Sequence, residues 1–144
     1  GPAGNIDARE RCEGFLAAMS THAPGIEPIV IEGDFREDSG AAAVATLRAR
    51  GVRFDGIVAA SDLIALGAIR SLQRAGLLVP RDVSVVGYDD VAFARYAPSS
   101  LTTIRQDTAL AGRLLLSKLL SGEASSLRSE RLPTDLVVRE SCGG

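Results

Sequence analysis

The sequence predicts an α/β fold, a parallel sheet with helices on both faces. Short β-branched runs alternate with longer segments of helical period, which is the pattern of strands joined by covering helices. The two most central runs, Gly56 to Ala60 (GIVAA) and Val83 to Tyr88 (VSVVGY), are apolar on both faces, as strands buried from both sides must be. At 144 residues, 46% hydrophobic and 24% charged, the chain is long enough for one core without disulfide or metal staples.

Each element has its own local reason. A first helix is expected over about Asp7 to Thr21, because Cys12, Phe15, Leu16 and Met19 recur at i, i+3, i+4 and i+7. Pro28 to Ile31 reads as the first strand. Between Ser39 and Arg50, Val44 and Leu47 mark an alanine-rich helix, and Gly51 suits the left-handed position that ends it. GIVAA follows. Ser61 or Asp62 then caps a third helix that turns Leu66, Ile69 and Leu72 inward and stops at Gly76. After VSVVGY, the strands Leu101 to Arg105 and Leu132 to Arg139 are more polar and are expected nearer an edge. Between them a fourth helix runs from about Asp107 or Thr108 to Ser121, with Leu110, Leu114, Leu115 and Leu119 apolar and Gly122 at its end. The polar stretch Glu123 to Glu130 reads as a connecting loop. Gly1 to Gly4 reads as a strand-to-helix loop without its strand, which predicts that the natural protein starts earlier.

Composition excludes several classes of function. No apolar run approaches the roughly 18 to 20 residues of a membrane span. The net charge of -2, with basic residues scattered, gives no footprint for a nucleic-acid backbone. Cys12 and Cys142 lie at opposite ends without metal or redox spacing, and the single histidine, His22, sits in a polar stretch away from any nucleophile. No cofactor is implied: there is no phosphate loop of the GxxxxGKS/T type, the only lysine is Lys118, and no GxSxG is present. These absences argue against an enzyme.

In an open parallel sheet, ligands bind outside the carboxyl ends of the strands. The residues there are consistently polar: Asp34 and Phe35, Ser61 and Asp62, Asp89 and Asp90, Gln106 and Asp107, with Arg11 on the first helix within reach. Carboxylates and an amide hold adjacent hydroxyls, an arginine donates to ring or carboxylate oxygens, and an aromatic ring covers an apolar sugar face. Such a rim suits a polyhydroxylated small molecule. Asp34, Asp62 and Asp107 are equally explained as helix caps. A third use of the carboxylates is a magnesium site for phosphoryl transfer.

The run from Phe54 to Asp107, with VPRDVSVVGYDD and SLTTIRQD, resembles the effector-binding domain of the lactose/galactose repressor (LacI/GalR) family of bacterial transcription regulators. The likeness extends to ARERCEGF, to EGDFREDSG at Glu32 to Gly40 and to LVVRES at Leu136 to Ser141. The resemblance implies that residues 1–144 form the C-terminal lobe of a periplasmic-binding-protein-like type I fold, truncated at its N-terminus. The N-terminal helix-turn-helix and the other lobe would lie outside this chain, and DNA would be bound only through that absent part. It also implies a pocket in which Arg11 grips the effector, Phe35 packs on it, Ser61 and Asp62 line it, Asp89 binds hydroxyls and Gln106 lies at the interlobe crossover. Ser61 departs from the asparagine that many relatives carry. The implied protein is a cytoplasmic, ligand-sensing regulator with a small-molecule effector, a sugar by default, and a homodimer. Without its other lobe the chain is expected to expose the leucine-rich face of the fourth helix and a strand edge, covered by self-association or segment exchange. The alternative is a periplasmic sugar-binding protein of a transporter, and less favoured still is a magnesium-dependent phosphotransfer domain.

Overall fold

The structure, a computed structural model, describes residues 1–121 and 130–144. Four helices and four strands follow in the order α1 (Ile6–His22), α2 (Glu37–Ala49), β1 (Gly56–Val58), α3 (Asp62–Arg74), β2 (Ser84–Asp89), β3 (Thr102–Gln106), α4 (Thr108–Ser121) and β4 (Thr134–Val137). The expected loop over Glu123 to Glu130 lies outside the described residues except for Glu130.

The strands form one sheet in the order β1-β2-β3-β4. The first three are parallel, in the register Ile57 beside Val85 and Gly87 beside Thr103. β4 runs antiparallel to β3, with Leu136 opposite Ile104, so the sheet is mixed at this edge. A period-2 pattern does not encode strand direction, and the reversal corrects the all-parallel expectation. A second correction concerns Pro28 to Ile31, which carries strand-forming residues but joins no ladder. Its neighbours make only isolated ties, from the Gly33 N–H to the Gly1 carbonyl (3.4 Å) and from the Ala3 N–H to the Glu32 carboxylate (2.8 Å). β-propensity becomes a strand only where a neighbouring backbone accepts the pairing.

The core lies on one face of the sheet, beneath α3. Ile69 and Leu72 of α3, Val44 of α2, Val85 of β2 and Leu101 before β3 are essentially inaccessible. Ser61 caps α3 as the sequence implied, accepting from the Ile64 N–H at 3.4 Å. α2 begins two residues earlier than its apolar pattern indicated, at Glu37. It crosses α3 backbone to backbone through glycines. A Cβ on Gly40 would collide with the Ile64 carbonyl, and one on Gly67 with the Glu37 carbonyl.

The other two helices behave differently. α1 buries only Ala8, and its expected inward stripe is not enclosed; Leu16 is exposed. α4 starts at the cap foreseen for it, with Asp107 accepting from the Leu110 N–H at 2.8 Å, yet it buries no side chain. Leu119 is 80% and Leu120 78% exposed, as the resemblance led us to expect.

Below the rim, the C-terminal residues are bound to β2 and β3 by side chains. Arg139 donates to Asp90 (2.6 Å) and to the Leu101 carbonyl (2.7 Å). Glu140 accepts from the Ser100 N–H and hydroxyl, both at 2.9 Å. Ser141 donates to the Val85 carbonyl (2.6 Å) and accepts from the Thr102 N–H (2.8 Å). Asp90, Arg139 and Ser141, the buried members, have partners within the chain, and exposed Glu140 ties the segment to Ser100.

Candidate functional site

The carboxyl ends of β2 and β3 bring Asp89 and Gln106 together, and the Gln106 amide donates to Asp89 Oδ1 at 3.0 Å. α1 supplies Arg11 from its second turn. Its guanidinium donates to the Ala60 carbonyl just past β1 (2.5 Å), lies 3.7 Å from Asp89 Oδ1 and stacks 3.8 Å from the centre of the Tyr88 ring. The Phe35 ring stands 6.0 Å from the same guanidinium. Three separate stretches of chain thus converge on one arginine. Its planar charge over an aromatic face is held in a fixed direction, a contact on the order of 1 kcal/mol in itself.

The backbone is bent to achieve this. Phe35 (φ 65°), Asp89 (φ 116°) and Asp90 (φ 52°) occupy the left-handed half of conformational space, where side chains other than glycine are strained. All three lie at the rim, where such strain tends to serve the site. The successive turns at Asp89 and Asp90 send neighbouring carboxylates to different tasks. Asp89 stays half-buried beside Arg11 and Gln106, while Asp90 turns into the buried pair with Arg139.

Asp89 has one oxygen engaged, and its Oδ2 has no hydrogen-bond partner among the described residues. Burial pushes its carboxyl above the ordinary 3.8; Arg11 and Gln106 pull it back, and Asp7 pushes it up again. The guanidinium too retains N–H groups beyond the one given to Ala60. Spare donors and acceptors on partly exposed side chains are the chemistry required to exchange water for hydroxyl groups of a ligand.

Ser61 and Asp62 sit differently from the other candidates. Both are buried, and Ser61 is occupied as the α3 cap. Asp62 is fully buried with both oxygens in use, Oδ1 accepting from the Thr103 hydroxyl (2.5 Å) and Oδ2 from the Val91 N–H (2.9 Å). Burial pushes its carboxyl up, and these two hydrogen bonds oppose that shift. It approaches the sheet over Gly87, where a Cβ would strike its carboxylate. Tyr88 is the rim residue missed by sequence reasoning; it stood within the GYDD motif, but nothing in the sequence placed a helix arginine on its ring. Among the described residues there is no cluster of histidine, cysteine and acidic side chains that could hold a metal ion.

A sheet of this topology with polar residues at its strand ends has the architecture of a periplasmic-binding-protein-like domain. The family model for that domain matches residues 2–142. The transcriptional regulator CelR of Thermobifida fusca is 41% identical over 98% of the chain, and a CelR–cellobiose complex superimposes with a TM-score of 0.83 at 40% identity over 98%. A lac repressor dimer bound to operator and an anti-inducer superimposes over 99% of the chain with a TM-score of 0.91 at 33% identity. The chain belongs to the lactose/galactose repressor (LacI/GalR) family. It spans 43% of the CelR sequence, 44% of the CelR chain in the complex and 43% of the lac repressor chain.

Proposed function

We propose that this chain is the C-terminal effector-sensing lobe of a bacterial transcription regulator that binds a sugar or similar small polar molecule and thereby changes its affinity for DNA. The observation that carries the reading is the convergence of Arg11, Asp89 and Gln106, each with hydrogen-bonding capacity left over. Arg11 would donate to ring or hydroxyl oxygens, Asp89 would accept from adjacent hydroxyls, Gln106 would bridge toward the opposite lobe, and Phe35 would cover an apolar face of the ligand. Ser61 and Asp62 would hold the strand ends in place beneath it. Effector between two lobes favours one relative orientation, and the resulting population shift alters an attached DNA-binding segment. The location that follows is the cytoplasm, and no catalytic step is assigned. The relatives are transcription regulators, which leaves the transporter reading unsupported.

Calorimetry on the full-length natural protein, with cellobiose as the first probe because a relative is seen with it, tests the site. Arg11→Ala should weaken binding of any sugar found to bind by about 1 to 3 kcal/mol, since charged hydrogen-bond partners are lost. Unchanged affinity would remove Arg11 from the pocket. The isolated chain, holding one side of the cleft, should bind the same sugar weakly or not at all.

The exposed leucines of α4 support the further proposal that the isolated chain covers this face by self-association, with segment exchange as one geometry. Sedimentation should give a dimer or larger species; a clean monomer at high concentration would refute it.

A further inference from the structure

The rim also carries information about the charge of its ligand. The guanidinium that reaches the strand ends, that of Arg11, already faces Asp89 and the Ala60 carbonyl. The acids around it outnumber it: Asp7 lies near enough to disfavour ionisation of Asp89, Asp34 precedes Phe35, and Asp107 follows Gln106. Asp34 accepts from the Arg36 N–H (3.1 Å), which holds its carboxyl below the ordinary value and therefore ionised. Arg36 itself is shared between Asp34 (3.8 Å) and Asp38 (3.2 Å), and Arg105 is occupied by Asp135 at 3.4 Å.

Helix N-termini are where a phosphate or carboxylate ligand ordinarily finds free N–H groups and a favourable dipole. Each helix here carries an acid in or just before its first turn. Asp7 lies in the first turn of α1, Glu37 and Asp38 in that of α2, Asp62 in that of α3, and Asp107 caps α4. An anionic ligand would therefore meet carboxylates at these termini and guanidiniums, those of Arg11, Arg36 and Arg105, that are already shared with acids of the chain.

Resting on the polyol-binding reading above, we infer that this lobe selects an uncharged ligand and discriminates against phosphorylated or oxidised sugars. The recognition chemistry is hydroxyl exchange at Asp89, Gln106 and Arg11, with no place for a formal negative charge.

Calorimetry on the full-length protein with neutral mono- and disaccharides, each paired with its phosphate ester and its aldonic or uronic acid, decides the matter. The expected result is a neutral sugar that binds, with its anionic counterparts weaker by about tenfold or more, the scale of like-charge juxtaposition. An anionic member that binds more tightly than its neutral partner would overturn this inference while leaving the polyol-binding reading intact. Silence from both neutral and anionic members would overturn that reading itself, and this inference with it. Asp7→Asn combined with Asp34→Asn, at exposed positions, should shrink the disadvantage of the anion. If the variant shows the same ratio as the wild type, the acids named here do not set the preference.

Discussion

Two polar clusters lie one backbone step apart, and they differ in what they leave unsatisfied. In the C-terminal clamp, Asp90, Arg139, Glu140 and Ser141 have their partners within the chain, at distances from 2.6 to 2.9 Å for the bonds that define it. In the rim, Asp89 keeps Oδ2 free, Arg11 sits 3.7 Å from its Oδ1, and both side chains reach solvent. The neighbours Asp89 and Asp90 are alike in residue type and place at the strand end, and only the family resemblance sets Asp89 apart in the sequence. A satisfied cluster around a buried ion pair stabilises a fold, whereas a cluster with spare capacity on partly exposed side chains is positioned for something else.

Breaking the clamp should give the largest effect. The Asp90 and Arg139 side chains are 5% and 14% exposed, so Arg139→Ala leaves a carboxylate buried without its partner. A loss of about 3 to 5 kcal/mol is expected, the range for removing one member of a buried pair. Urea denaturation measures it; a cost within experimental error would show that the clamp contributes little to the fold.

A smaller effect follows from Asp62, which lies beneath both clusters. Its carboxyl is pushed up by burial, so the folded state holds the proton more tightly than the unfolded chain does. The stability this confers is fully present below the ordinary carboxylate value of 3.8 and is lost as pH rises through the raised folded value. Asp34 and Glu140, whose carboxyls are lowered by hydrogen bonds, act in the opposite sense and lose stability as pH falls. The difference between wild type and Asp62→Asn isolates the buried group. Across that window, rising pH should shift the difference against the wild type in urea midpoints. A difference independent of pH would show that Asp62 does not titrate as described.

The same contrast explains what was legible in the sequence. α3 and α4 both read as helices with apolar stripes and good caps, and both form where expected. α3 buries Ala65, Ala68, Ile69 and Leu72, while α4 buries nothing. Amphipathic spacing identifies a face that seeks cover, but not the surface that supplies it. Pro28 to Ile31 failed as a strand for a related reason, since its ladder depends on a neighbour that composition cannot specify. The antiparallel turn of β4 and the Gly40 and Gly67 contacts were invisible because they are set by tertiary packing. The rim fared better. Strand ends are local features, so Asp89 and Gln106 could be placed together; Arg11 and Phe35 stand beside them, Phe35 without the strand expected before it. Ser61 and Asp62 occupy the same stretch of rim but turn inward, and only the geometry at Thr103, Val91 and Gly87 reveals it.

The central claim is that Asp89 serves a ligand and its neighbour Asp90 serves the fold. It is tested most directly by titrating the full-length protein with its sugar, by calorimetry, in the wild type and in Asp89→Asn, alongside urea denaturation of both. The account predicts that Asp89→Asn weakens binding by about 1 to 3 kcal/mol while the unfolding midpoint stays close to wild type. Retained affinity with a large loss of stability would contradict it, because Asp89 would then be a second structural clamp and the rim would lose its claim to the ligand.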